Sequence, residues 1–252
     1  MNNTLKNGFR VLELLSLTGE SFSVKDISTT LDVPNSHACR LLKTLKETGY
    51  VEQNSSRKYK ISMKILSLSN MSLSKHKIRT KIHPFIIKLS KDLHIDTYFS
   101  IPVEQKPMIV DVSYYRANND PLLTAGNFNP IHYSASGKVC AAYYSEEELN
   151  IFFKTNPLEK QTENTITSQT KFANELKEIR KKKIAWTNRE RYNNSTACAS
   201  PIFNSESEMV GIIGGNFRLK TINEDKLQEY GKQIRATASS ASFALGYAEY
   251  DI

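Results

Sequence analysis

One segment of the sequence carries side chains whose types and spacing suit contact with a nucleic acid. Between Asn35 and Thr48, apolar residues recur at helical spacing, and the positions between them are polar or basic. The polar set on the outward face consists of Ser36, His37, Arg40, Lys43 and Thr44. Such side chains bond to base edges and to phosphates. The pattern predicts a helix with a DNA-reading face.

A second basic segment follows this helix at residues 57–61. Tyr59 and Ile61 alternate with charged residues, as in a half-buried strand, and residues 54–56 read Asn-Ser-Ser, which suits a turn. The basic side chains that we expect to meet phosphates are Arg57, Lys58 and Lys60. Either segment alone is also compatible with an ordinary solvated surface, since a helix with Leu inside and Lys or Arg outside is common.

The elements that precede these segments give them a context. We expect a first helix to end at Gly19, because glycine often follows a helix C-terminus. Ser23 and Asp26 have the spacing of a capping box at the start of a second helix. Pro34 then separates the second helix from the third. Three helices followed by a basic hairpin describe a winged helix-turn-helix domain.

The charge distribution favours the same interpretation. The chain of 252 residues carries a formal charge of +8. Residues 1–75 hold 11 Lys or Arg against 6 Asp or Glu, whereas the remaining residues hold 23 against 20. The positive excess is therefore concentrated at the end with the predicted DNA-reading face, as in a DNA-binding protein with a more neutral body.

Several other classes of protein are disfavoured by the sequence. No apolar run is long enough for a transmembrane helix, and the N-terminus lacks a secretion signal, so we expect a cytoplasmic protein without a membrane partner. Three cysteines without CxxC spacing suggest neither a disulfide framework nor a zinc site. GxSxG, GxGxxG, P-loop and HExxH motifs are missing, so we predict no enzyme, no cofactor and no metal.

The rest of the chain alternates helix and strand patterns without βαβ regularity, which predicts the α+β class. We expect a winged helix-turn-helix over residues 1–62, a connecting helix over 63–83 and a second domain over 84–252, in which Pro84 opens a helix. The predicted strands cover 96–103, 108–114, 195–203 and 208–219, and a turn is expected at 118–121. Further helices are predicted over 136–144, 146–155, 168–183 and 223–247.

The first fifty residues or so resemble the DNA-binding head of the IclR family of bacterial transcription regulators. The similarity lies in FRVLELLS near the start and in DVPNSHACRLLKTLKETGYVEQ across the second turn and third helix. It continues in GNFNPIHYSASGKVCAAYY and WTNRERYNNSTACASPIFN, which are similar to two segments of that family's second domain. The resemblance implies a GAF-like second domain that binds a small organic effector between its sheet and the helix near residue 136.

Carried over by resemblance, the effector site comprises Ala135, Ser136, Thr187, Ala197, Gly214 and Asn216. The start of the helix at Ser134 also offers free backbone N–H groups that could bind a carboxylate, although an ordinary helix cap by Ser134 or Ser136 is favoured when these residues are taken alone. The better-known binders of small acids carry an acid, a cysteine and two serines at the last four positions. A larger or aromatic effector, or none, therefore stays open.

The resemblance favours a sequence-specific regulator of double-stranded DNA whose activity responds to an effector. The alternative is a nucleoid-type DNA-binding protein with a ligand-free sensor domain, and the operator and the sign of regulation stay open. The resemblance also implies a homodimer or a dimer of dimers on a two-fold symmetric site, with the effector changing the spacing between heads. Apolar residues at 5–15 and 63–73 suit such pairing, but they could equally complete each monomer's core.

Overall fold

The fold is described from a computed structural model that covers residues 2–115, 123–219 and 224–248. The chain forms two compact units, Met1–Lys75 and His76–Ile252, which we call the N-terminal and C-terminal units. The turn expected at 118–121 lies outside the described residues. Within the described part of the chain, every helix is too short or too polar to cross a lipid bilayer.

Three helices open the N-terminal unit, and their ends follow the local signals in the sequence. They are α1 (Asn3–Thr18), α2 (Val24–Leu31) and α3 (Asn35–Glu47). Gly19 ends α1 in the left-handed conformation at φ 66°, which glycine adopts without steric cost. The capping box is present, because Asp26 N donates to Ser23 Oγ at 3.2 Å and Ser23 N donates to Asp26 Oδ2 at 2.8 Å.

The hairpin that follows comprises β1 (Val51–Gln53) and β2 (Tyr59–Ile61), paired antiparallel. Phe22, between α1 and α2, bonds to Tyr59 through two backbone hydrogen bonds, which ties the hairpin to the helices. The core of the unit is formed by Val11, Leu15, Ile27, Leu31, Ala38, Leu41, Leu42, Val51 and Tyr59. The predicted winged helix-turn-helix is confirmed.

The predicted connector at 63–83 is not one helix. It contains α4 (Lys64–Lys75) and the first turns of α5 (Lys77–Leu93), and His76 caps α5 by accepting from Arg79 N. The prediction that Pro84 opens a helix is wrong, because Pro84 lies inside α5. An internal proline costs a hydrogen bond and crowds the preceding turn. Burial of Ile82, Ile86 and Leu89 along the same helix offsets that cost.

The C-terminal unit is built on one five-stranded antiparallel sheet in the order β4-β3-β7-β6-β5. Its strands are β3 (Asp96–Val103), β4 (Lys106–Ser113), β5 (Ala185–Asn188), β6 (Ser195–Phe203) and β7 (Met209–Arg218). Four strands match the predicted ones to within two residues, whereas β5 is absent from the sequence-based prediction. The antiparallel sheet with its interleaved helices confirms the α+β class.

Helices cover this sheet and enclose the core. They are α6 (Ala135–Ala142), α7 (Glu146–Thr155), α8 (Gln169–Lys182) and α9 (Leu227–Ala244). All eight residues of α6 are buried, because the helix packs against both α8 and the sheet. A helix surrounded in this way has no solvent-exposed face.

Candidate functional site

The third helix presents the outward face that the sequence predicts. Ala38, Leu41 and Leu42 are buried, and the polar side of the helix is open to solvent. Its exposed members are Ser36, Arg40, Lys43 and Thr44. Lys43 lies 3.9 Å from Glu47 in a loose exposed pair, which leaves the lysine free to reach a phosphate. The geometry suits insertion of α3 into the DNA major groove.

His37 differs from the other members of this set because it is half-buried. Its Nε2 lies 3.4 Å from Asn7 Nδ2 on α1, and its Nδ1 lies 3.5 Å from Arg40 Nη2. Both neighbours are N–H donors and a neutral imidazole has one acceptor nitrogen, so the ring accepts from either Asn7 or Arg40 but not from both. His37 thus lies beside Arg40, whose side chain is exposed.

The tip of the hairpin exposes the predicted basic group, but its three members are not equivalent. Arg57 is exposed and takes a left-handed φ of 58° in the turn, and Lys58 is exposed beside it. Lys60 lies 3.4 Å from Glu52 on the paired strand. A carboxylate already neutralises Lys60 in part, and Lys58 interacts with the Asp26 carboxylate, so Arg57 presents the strongest field to a phosphate.

A cavity of about 40 Å³ lies at the start of α6 in the C-terminal unit. Four of the six predicted effector residues, Ala135, Thr187, Ala197 and Asn216, line it. The other lining residues are Tyr98, Leu123, Asn129, Tyr133, Ser134, Arg191, Tyr192 and Ser195. Space of this size holds a few water molecules, so a larger ligand has to displace a side chain.

The two remaining predicted residues lie behind Tyr98. Ser136 is fully buried, and Tyr98 forms hydrogen bonds with it. A Cβ atom at Gly214 would lie 2.3 Å from the Tyr98 ring, so only glycine leaves room for this ring. Burial raises the pKa of the Tyr98 phenol to about 12, which keeps it protonated at neutral pH. Tyr98 thus covers part of the predicted site.

Sequence reasoning missed Tyr98, Asn129 and Arg191. Arg191 Nη1 donates to Asn129 Oδ1 at 3.2 Å, and Asn129 Nδ2 donates to Ser136 Oγ at 3.0 Å. This row of hydrogen bonds joins the loop after β5 to the first turn of α6. Arg191 stands inside the WTNRERYNN segment, but only the course of β5 shows that it reaches the cavity.

Beside the cavity, Lys138 forms a buried ion cluster with two glutamates. Its Nζ lies 2.8 Å from Glu175 Oε1 and 2.6 Å from Glu190 Oε1, and the lysine side chain is fully buried. Burial raises the pKa of the Glu190 carboxyl, although Lys138 opposes that shift. Glu190 directly precedes Arg191 in the chain, and Lys138 belongs to α6. The ion cluster therefore anchors the loop that contains Arg191 onto helix α6.

A larger groove of about 1240 Å³ runs beside β5 between α8 and α9. Of the predicted effector residues, only Thr187 contributes to it among those described. Its charged members, Lys182, Lys232, Arg235, Glu175 and Glu178, are of both signs. The predicted residues therefore converge on the smaller cavity.

The other candidate groups of the C-terminal unit have structural roles. Cys140 and Cys198 are buried, and burial raises the pKa of both thiols, which keeps them protonated and unreactive at neutral pH. His132 Nε2 lies 3.0 Å from Glu159 O, and burial lowers the pKa of its imidazole. Across the described ranges, no group of three His, Cys, Asp or Glu residues is placed to bind a metal.

Several bacterial regulators share nearly the full length of the chain. The transcriptional regulator XynR of Escherichia coli is 23% identical over 97% of this chain and 97% of its own. The crystal structure of the Thermotoga maritima IclR has a TM-score of 0.74 at 24% identity and covers 98% of this chain and 100% of its own. An IclR homolog of Microbacterium hydrocarbonoxydans, complexed with 4-hydroxybenzoate, has a TM-score of 0.81 at 17% identity, over 96% and 98% of the two chains.

Two family models account for most of the sequence. The "IclR helix-turn-helix domain" matches residues 4–55, which include α1 to α3 and β1. The model "Bacterial transcriptional regulator IclR C-terminal" matches residues 70–243, which is more than half of the chain. The named relatives are transcriptional regulators and repressors, a class of proteins that are not enzymes. The chain belongs to the IclR family of bacterial transcriptional regulators.

Proposed function

We propose that the protein acts in the cytoplasm as a sequence-specific regulator that binds a two-fold symmetric operator through its N-terminal unit. The observation that carries this proposal is the exposed polar face of α3 beside the basic hairpin tip. Ser36, Arg40 and Thr44 face the bases, with His37 behind Arg40. Lys43 and the hairpin residues Arg57, Lys58 and Lys60 bind phosphates.

Pairing of two copies is supported by apolar side chains that the N-terminal unit leaves in solvent. On α1, Leu5 and Phe9 are 60% and 59% exposed, although Val11 and Leu15 on the same helix are fully buried. No residue of α4 is buried, and Leu68 and Met71 are about half exposed. On each helix the two exposed residues are about one turn apart and share a face, and apolar patches of this kind mark an interface. We therefore assign α1 and α4 to a homodimer, which can pair again as a dimer of dimers.

Footprinting of the gene's own promoter tests the DNA-binding proposal. We expect two protected half-sites related by a two-fold axis, with centres about one helical turn or a multiple of it apart. Diffuse protection without a preferred sequence would instead support the nucleoid-type alternative. Family membership and the shaped α3 face favour the specific regulator.

Sedimentation at micromolar concentration tests the pairing. Wild-type protein should sediment as a dimer or tetramer, and Phe9→Glu or Leu68→Glu should shift it toward the monomer of 28.6 kDa. Ile151→Glu, which places the same charge on an exposed residue of α7, should leave the dimer intact. A wild-type monomer with and without operator DNA would refute the dimer.

A small organic molecule that binds in the cavity at the start of α6 then modulates operator binding. Four predicted effector residues line that cavity, and the solved relative from Microbacterium hydrocarbonoxydans carries 4-hydroxybenzoate. The small cavity requires that such a ligand displace water or move a lining side chain. Operator affinity measured with and without added ligand tests this part of the proposal.

A further inference from the structure

The cavity at the start of α6 contains one strong positive charge. Among the described residues that line it, Arg191 is the only one that is charged at neutral pH. Arg191 is half-buried, its guanidinium donates to Asn129 Oδ1 at 3.2 Å, and it lies 5.6 Å from the centre of the Tyr192 ring. No described carboxylate forms an ion pair with it. A half-buried cation without an acidic partner is costly, and a bound anion removes that cost.

The backbone at the start of α6 is less available for an anion than the sequence suggests. Ser134 Oγ already accepts from Gly137 N at 2.9 Å, which caps the helix. Ser136 is fully buried, accepts from Asn129 and bonds to Tyr98. The Tyr98 hydroxyl therefore occupies the place that a small anion would take at this helix end. Among the described lining residues, Arg191 alone offers a charge without an acidic partner.

We propose that Arg191 binds the carboxylate of a monoanionic organic effector and that Tyr98 keeps this carboxylate away from Ser136. The proposal rests on the effector-controlled function proposed above and gives its ligand a chemical class. The described part of the wall has one cation and no acid, which matches a single negative charge. Leu123, Tyr133 and Tyr192 provide an apolar and aromatic wall for the remainder of the ligand.

Ligand-dependent thermal unfolding and calorimetry at pH 7 and fixed ionic strength test the role of Arg191. The probes are acetate, pyruvate, benzoate and 4-hydroxybenzoate, with acetamide and benzamide as uncharged counterparts. We expect at least one carboxylate to bind and stabilise the wild type, while its amide does not. Arg191→Gln should weaken that binding at least tenfold. Lys177→Gln, which removes an exposed charge from α8, should leave it unchanged.

Three results would overturn the assignment of Arg191. They are the failure of all four carboxylates to bind the wild type, equal binding of a carboxylate and its amide, and unchanged binding to Arg191→Gln. Any one of these results would show that the charge of Arg191 does not contribute to ligand binding.

The role of Tyr98 has its own variant. Tyr98→Phe keeps the ring above Gly214 but removes the hydroxyl that bonds to Ser136, so the polar groups of Ser136 lose this partner. We expect this variant to bind acetate about tenfold more tightly than the wild type, because the helix end becomes available to the smallest anion. Equal acetate affinity in the two proteins would show that Tyr98 does not exclude anions from Ser136.

Operator binding measured in parallel separates this proposal from the function on which it rests. If a carboxylate binds through Arg191 and operator affinity does not change, the proposed anion site is supported and the proposed control of DNA binding by that effector is refuted. If operator affinity responds to an uncharged molecule and no carboxylate binds, control of DNA binding by an effector is supported and the proposed role of Arg191 is refuted.

Discussion

In the N-terminal unit the candidate DNA-binding groups stand in solvent on a helix whose opposite side is packed, whereas in the C-terminal unit the candidate effector groups face a cavity of about 40 Å³. The exposed face can lose a side chain without disturbing the core beneath it. The cavity is shaped by the same residues that hold the fold, such as Tyr98 above Gly214. Substitutions should therefore affect binding alone in one unit, and both stability and binding in the other.

Lys138→Met tests the buried side of this comparison most severely. Without the lysine, Glu175 and Glu190 lose their buried counter-charge, which costs about 3–5 kcal/mol of unfolding free energy. Urea unfolding followed by fluorescence of Trp186, the single tryptophan, reports on the C-terminal unit. Lys177→Met, at an exposed position of α8, should stay within about 0.5 kcal/mol of the wild type.

The pH dependence of this loss follows from Glu190. A carboxyl whose folded-state pKa is raised above its ordinary value of 4.5 stabilises the fold below that value and loses this contribution as pH rises through the raised pKa. The Lys138→Met variant should therefore lose more stability at pH 8 than at pH 5. An equal loss at both pH values would mean that Glu190 does not take up a proton to relieve the cluster.

Glycine-to-alanine substitution gives a matched pair across the two units. A Cβ atom at Gly137 would lie 2.0 Å from Pro130 O, a backbone atom that cannot move alone, so Gly137→Ala should cost about 1–3 kcal/mol or more. Gly8 lies within α1, where a Cβ atom would have no neighbour within 4 Å, and Gly8→Ala should stabilise that helix by about 0.5–1 kcal/mol. Trp186 fluorescence measures the unfolding free energy of Gly137→Ala, and circular dichroism measures that of Gly8→Ala. If both substitutions change the unfolding free energy in the same direction, the comparison is contradicted.

The same contrast explains which features can be predicted from the sequence. Gly19, the Ser23–Asp26 capping box and the Leu41–Leu42 face of α3 act within a few residues of the chain, and the structure confirms each of them. The prediction at Pro84 is wrong because burial against distant parts of the chain keeps α5 intact. These outcomes separate local signals from tertiary ones.

The effector cavity depends on residues that are distant in the chain. Arg191 and Asn129 meet across 62 positions, and Tyr98 covers Gly214 from the neighbouring strand β3. Strand β5 has only four residues, two of them polar, so its pattern is too short to identify. The periodicity of a sequence does not show which distant residues come into contact. The family resemblance indicates four residues that line the cavity, but it does not indicate Arg191, which supplies the charge.

Arg40→Ala tests the exposed side of the comparison. If Arg40 binds a guanine, the variant should lose about 1–3 kcal/mol of operator binding and discriminate less at that base pair, with unchanged stability. Fluorescence anisotropy with operator and mutated operator DNA measures both quantities. Lys171→Ala, which removes an exposed charge from the C-terminal unit, is the control for net charge. Unchanged operator affinity in a stably folded Arg40→Ala protein would refute the assignment.

Substitutions in the hairpin should have the smallest effects on DNA binding. The effect should be smaller for Lys60, which forms a salt bridge, than for Arg57. Arg57→Ala removes one phosphate contact and should lower the slope of log affinity against log salt by about 0.9, equally for all DNA sequences. Lys60→Ala should lower it less, because Glu52 lies 3.4 Å from Lys60 and already neutralises part of its charge. Glu52→Gln should then strengthen DNA binding by releasing Lys60. If all three variants keep the wild-type salt slope, the hairpin stays in solvent and α3 alone contacts the operator.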